Sequence, residues 1–94
     1  MSVDSVGYKM IVSGQVQGVG FRYFAWRNAV ALGVVGLVRN LPDGSVEVYA
    51  EGPREALEQL RSRLREGPRS AAVAQVAVQE HAATRRHASF SIEY

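Results

Sequence analysis

Nine residues from Gly14 to Arg22, GQVQGVGFR, concentrate the groups that grip an oxyanion: closely spaced glycines followed by an arginine. If this stretch joins the end of a strand to the start of a helix, its backbone N–H groups lack intrahelical partners. The helix dipole then adds about half a positive charge, and a glycine-rich bend can curve further N–H groups inward. Arg22 would supply a planar fork of donors. A phosphoryl group, with several charged oxygens, suits such a ring. On pattern alone, the alternative is a glycine-permitted turn carrying a surface arginine. Better-known phosphate signatures fail here. No Gly-Lys-Ser/Thr triplet follows Gly14 or Gly18, and Tyr23 stands where a dinucleotide fingerprint needs its third glycine.

Asn40, in GLVRNLPDG, is the second candidate. An asparagine there can simply cap a hairpin turn. Its place at the end of a strand gives it another use. In a βαβ unit the C-terminal ends of two parallel strands share one rim of the sheet, so Asn40 is expected to face the loop carrying Gly18, Gly20 and Arg22. Other candidates are plainer. Tyr23 and Trp26 are expected to be partly buried packing residues, and Arg39 to alternate to the opposite, solvated face. His81 and His87 are expected on the surface, and two histidines without any cysteine fall short of a zinc site. No Ser-His-Asp set and no carboxylate pair emerges, so covalent and two-carboxylate mechanisms lack their parts.

The elements that must position these residues are legible in the spacing. Tyr8 to Val16 alternates as a strand, and Phe21, Ala25, Ala29 and Leu32 line one face of a helix stopped by Gly33. Val34–Asn40 and Ser45–Ala50 are strand-like runs separated by LPDG, the chemistry of a tight turn, which predicts an antiparallel hairpin. Gly52-Pro53 puts proline just inside a second helix start. Leu57, Leu60 and Leu64 form that helix's apolar stripe, and Gly67-Pro68 ends it. Val73, Val76 and Val78 mark a further strand, ATRRHAS a polar turn with solvent-facing arginines, and Phe90, Ile92 and Tyr94 a short final strand. Two helices with one apolar stripe each cover one face of a sheet. The expected fold is α+β: a two-layer α/β sandwich of the ferredoxin-like βαββαβ type, with a mostly antiparallel sheet of four to five strands. Residues 1–7 are expected to form a flexible arm and 8–94 the domain.

Composition narrows the function classes. Ninety-four residues hold one core, and 47% hydrophobic against 21% charged residues places the chain far from disordered sequences. The net charge of +2 is scattered along the chain, which is no footprint for nucleic acid. GVGFRYF has a passing likeness to an RNA-recognition consensus, but Gln17, Val19 and Arg22 replace its basic, aromatic and strand positions. The start, MSVDSVG, has no signal-peptide pattern, and no run of about 18 apolar residues occurs. A cytoplasmic protein without membrane or nucleic-acid partner is expected.

GQVQGVGFR, GLVRNLPDGSVEVYAEG and the Gly-Pro after the second helix together resemble the acylphosphatases, over about residues 8–94. That resemblance implies the βαββαβ sandwich and hydrolysis of a carboxyl-phosphate anhydride to a carboxylate and inorganic phosphate, with no metal or other cofactor. By position it makes Arg22 the phosphate-binding arginine and the backbone of Gln17, Gly18, Val19, Gly20 and Phe21 the cradle. Asn40 becomes the residue that orients the attacking water. Gln15 stands where the family commonly has a basic residue and Leu37 where it commonly has a large aromatic, neither position touching the chemistry. The expected partner is a small-molecule acyl phosphate, the expected state a monomer. The loop and arginine offer no evident pocket for the acyl portion, so low acyl specificity is expected. Two alternatives share these residues. One is a phosphate-ligand binding module without turnover. The other is the carbamoyl-phosphate-handling module of hydrogenase-maturation proteins, long chains with zinc-binding segments, against which the end at Tyr94 and the lack of cysteine argue.

Overall fold

The computed structural model describes residues 5–94. Strand β1 (Ser5–Gln15), helix α1 (Phe21–Leu32), strands β2 (Val35–Asn40) and β3 (Val46–Pro53), helix α2 (Arg54–Glu66), and strands β4 (Ala72–Ala82) and β5 (Phe90–Ile92) follow in order. They form one five-stranded sheet, β4-β1-β3-β2-β5, in which only the β2–β5 pair is parallel. Both β1 and β2 run antiparallel to β3, which lies between them. Their C-terminal ends therefore share a rim, as the βαβ argument requires.

The period-two pattern decides which face is covered. Tyr8, Met10 and Val12 of β1 and Val46, Val48 and Ala50 of β3 are buried on the helix side. Helix α1 buries Phe21, Ala25 and Ala29, and α2 buries Leu57, Leu60 and Leu64. In α1, two alanines bring the helix close to the sheet, and Phe21 at its first position packs the site end into the core. At Ser13/Gly14 the β1–β4 register shifts and Ala74 is left over as a bulge, with Ser13 opposite Gln75 and Gly14 opposite Val73. This bulge lets Val73 and Val76, three residues apart, both pack on the core.

Three boundaries differ from the sequence reading. Ser5–Gly7 belong to β1 and pair with Glu51–Pro53, so they are no arm, because eight residue pairs extend the ladder; Met1 to Asp4 lie outside the described residues. Strand β3 runs on to Pro53, which caps α2 in extended conformation (φ −60°, ψ 140°) instead of forming its first turn. The link 83–89, read as a polar turn, is a crossover. It carries the chain from edge strand β4 to edge strand β5, four inter-strand gaps or roughly 19 Å. Seven residues span at most about 23 to 25 Å, so the link crosses with limited slack and still accommodates Arg85 in the left-handed region (φ +60°). Glu51 pins the crossover to the sheet face away from the helices, accepting bonds from Thr84 N (2.7 Å), Thr84 Oγ1 (2.8 Å) and Arg85 N (3.0 Å). No helix among the described residues is long and apolar enough to cross a membrane.

Candidate active site

The loop between β1 and α1 has its shape because two of its residues are glycine. Gly18 (φ +74°) and Gly20 (φ +79°) are left-handed, and nothing lies within 4 Å of where a Cβ would stand. Glycine is required there by backbone conformation, with no crowding to explain it. Gly20 occupies the N-cap of α1 and offers no side chain to cap it. The Phe24 amide is the first in the helix to find a carbonyl, that of Gly20 at 3.0 Å. Among the described residues, the amides from Gln17 to Tyr23 meet no acceptor in good hydrogen-bond geometry. The first turn of α1 carries no acid, so the positive end of the helix is left uncompensated.

Three contacts hold this loop. Gln17 Nε2 donates to the carbonyls of Leu41 and Ser45, both at 2.8 Å, tying the loop to the β2–β3 hairpin. Ser70 Oγ, in the link before β4, donates to Val19 O at 2.7 Å. The hairpin itself is closed by Asp43, whose carboxylate accepts from the Ser45 hydroxyl and amide. Those two bonds hold its carboxyl below its ordinary pKa.

One pocket of about 190 Å³ is lined by Val16, Gly18, Gly20, Phe21, Arg22, Tyr23, Asn40, Ile92 and Tyr94. The structure thus brings Gly18, Gly20, Phe21, Arg22 and Asn40 together across the shared rim of β1 and β2. The side chain of Gln17 is directed to the hairpin as a clamp, and Val19 is held by its carbonyl. Arg22 is braced from the C-terminal segment: Nη1 donates to Glu93 O at 2.9 Å, and Cζ lies 4.8 Å from the Tyr94 ring centroid. Its remaining donors are free for a ligand. The Oδ1 atom of Asn40 is buried and has no hydrogen-bond partner. Buried polar atoms are nearly always paired, so an open acceptor beside a cationic pocket marks a place for a donor such as water.

Arg39, Trp26 and His81 sit as expected, whereas Tyr23 and His87 do not. Arg39 does face away from the pocket and pairs with Glu47 at 3.1 Å. Trp26 is half-buried, its Nε1 donating to Phe90 O at 3.1 Å. Tyr23, expected to pack, is 57% exposed at the pocket mouth, because its position on α1 faces the rim and not the sheet. His87 is half-buried against the ring of Tyr49 (centroids 5.6 Å apart), since the crossover presses it onto the sheet. His81 is exposed. The side-chain clamps Gln17 and Ser70 and the brace from Glu93 and Tyr94 were not visible in the sequence, as each joins residues at least 24 positions apart.

Comparison with known proteins gives a consistent result. The family model for acylphosphatase matches residues 8–92. The chain is 54% identical over 86 residues to an acylphosphatase of Pasteurella multocida, covering 92% of this chain and 96% of that protein. The crystal structure of acylphosphatase from Bacillus subtilis superposes with a TM-score of 0.91 at 40% identity, covering 95% of this chain and 99% of that one. Full-length HypF in its phosphate- and nucleotide-bound form shares the fold (TM-score 0.87, 22% identity), with this chain matching 12% of its length.

Proposed function

The chain belongs to the acylphosphatase family and hydrolyses acyl phosphates, and we propose that it does so by direct attack of a water aimed by Asn40 on a phosphoryl group held by Arg22 and the loop amides. The observation that carries this reading is the buried, unpartnered Oδ1 of Asn40 in the same pocket as the left-handed glycines and Arg22.

Each part answers a need of the reaction. The backbone amides of Gln17, Gly18, Val19, Gly20 and Phe21 and the free donors of Arg22 bind the phosphoryl oxygens and meet the charge that builds there in the transition state. Asn40 Oδ1 accepts one hydrogen of the water and fixes its oxygen toward phosphorus. A bond forms from the water oxygen to phosphorus while the bond to the acyl oxygen breaks, its electron pair leaving with the carboxylate. The water's proton passes to a phosphoryl oxygen or to solvent, because a carboxamide takes up no proton at neutral pH. The leaving carboxylate, whose acid has a pKa of about 4 to 5, departs unprotonated and needs no general acid. Phosphoryl transfer through a loose transition state demands positioning and charge stabilisation above all. Cytoplasmic action as a monomer, on a small-molecule acyl phosphate, belongs to the same proposal.

Benzoyl phosphate hydrolysis, followed by ultraviolet absorbance in the presence of a chelator, tests the reading. Turnover is expected, with kcat nearly flat between about pH 5 and 8 because no titrating side chain takes part. Phosphate binding without turnover would make the domain a binding module instead. A bell centred near the histidine pKa of about 6.5 would place the chemistry on another group.

A further inference from the structure

The pocket is larger than a phosphoryl group and one water require. At about 30 Å³ per water, its 190 Å³ corresponds to roughly six waters. Beyond the amide loop, Arg22 and Asn40, the walls change character, becoming Tyr23, Ile92 and Tyr94. The described residues include three exposed large hydrophobic side chains, and two of them, Tyr23 at 57% and Tyr94 at 97% exposure, stand on this one mouth. Scattered exposed apolar residues need no explanation, but two aromatics converging on one small pocket do.

Of the two, Tyr23 is the one held in place. It lies on α1, and its ring stacks on Trp26 with centroids 5.8 Å apart and planes 29° from parallel. Trp26 in turn is anchored by its Nε1 donating to Phe90 O. Arg27 lies over the same Tyr23 ring at 5.9 Å. A ring with only two side-chain torsions, backed by another ring, gives a flat apolar surface at little cost in ordering entropy. No acid lines the pocket to repel a substrate, and the polar side-chain groups of this wall are two phenol hydroxyls at the tips of otherwise apolar rings.

We propose that Tyr23, backed by Trp26, is the specificity residue for the acyl half of the substrate, and that the site therefore favours acyl phosphates with a flat, apolar, aryl-like acyl group over small acyl ones. This rests on the phosphoryl-binding reading above, since the acyl group reaches Tyr23 only when its phosphate lies in the loop. It departs from the expectation that the loop and arginine offer no evident pocket for the acyl portion.

The test compares kcat/KM for benzoyl phosphate and acetyl phosphate in the wild-type chain, Tyr23→Ala and Tyr23→Phe. Each variant is read against wild type on the same substrate, so that intrinsic reactivity cancels. Tyr23→Ala is expected to lower the benzoyl-to-acetyl ratio about tenfold, the size of one lost aromatic contact. Tyr23→Phe is expected to keep the ratio within about twofold, because the ring face and not the hydroxyl makes the contact. An unchanged ratio in Tyr23→Ala, or a parallel loss on both substrates, would overturn the proposal while leaving the phosphoryl site intact. Wild-type protein that hydrolyses neither substrate would overturn the underlying reading instead. Tyr23 is exposed and outside the core, so Tyr23→Ala is expected to fold, which its circular dichroism checks.

Discussion

Strand β3 and its neighbour β2 each carry a polar side chain with a buried oxygen, Glu51 and Asn40, at opposite rims of the sheet, and their surroundings are opposite too. Glu51 is only 4% exposed, yet Tyr49 Oη, Thr84 N, Thr84 Oγ1 and Arg85 N all donate to it. Burial alone would push its carboxyl up, but those four donors outweigh burial and hold it down at about 2. At the other rim, Asn40 keeps Oδ1 buried with no partner at all. A polar group used to fix the chain is saturated by the chain. For Asn40, which shares its pocket with Arg22 and the glycine loop, the contrast implies an acceptor reserved for something the chain does not contain. The glycines extend the lesson: Gly14 is crowded, since a Cβ there would lie 2.2 Å from Ala72 O, whereas Gly18 and Gly20 have open space where substrate would come.

The sharpest way to break this contrast is at the open rim. Arg22→Ala is expected to lower kcat/KM for benzoyl phosphate by about 10² to 10⁵, measured in steady state, because one charge-stabilising cation is lost. Arg22→Lys keeps the charge but not the fork, and is expected to remain far below wild type. Asn40→Ala is expected to cost about 10² to 10³ in kcat while inorganic phosphate still inhibits competitively with its wild-type constant.

At the saturated rim the expected effect is on stability. Glu51→Gln removes the charge and sets an amide against donors, costing about 2 to 3 kcal/mol and lowering Tm by roughly 10 to 20 °C, with little change in kcat. The same group sets the acid limit. Its folded pKa of about 2 lies below an unfolded value near 4.5, so its contribution is complete above about pH 4.5. It is lost as pH falls toward 2, and Glu51→Gln should flatten that part of a stability–pH profile. Tyr49 limits the alkaline side: burial, then its bond to Glu51, pushes its phenol up to about 12, so its share is full below pH 10 and fades through 12.

Smaller effects sharpen the account of the loop. Gly20→Ala meets no clash, so only the left-handed backbone is strained, and phosphate affinity is expected to drop about 5- to 30-fold, the equivalent of 1 to 2 kcal/mol. Tyr94→Ala removes an exposed cation–π brace from Arg22, and a two- to fivefold rise in KM is expected.

Local patterns were legible in the sequence because they act within one element. Alternation at Tyr8, Met10 and Val12, the four-residue spacing of Phe21, Ala25 and Ala29, and Pro-Asp-Gly between two strands placed most elements and the parallel rim shared by the loop and Asn40. Contacts that join distant segments were not. Nothing about Glu51 or Thr84 in isolation shows that one receives the other, since the register of a crossover depends on the whole sheet. The exposure of Tyr23 is not legible in the sequence, because helical periodicity says which face a residue takes, but not whether a neighbouring rim covers it.

Titration of the ¹⁵N-labelled protein with inorganic phosphate tests the central claim most directly. The amide resonances of Gln17, Gly18, Val19, Gly20 and Phe21 should shift together, with one dissociation constant that equals the competitive inhibition constant. Resonances that stay still while phosphate inhibits, or shifts confined to other residues, would contradict it.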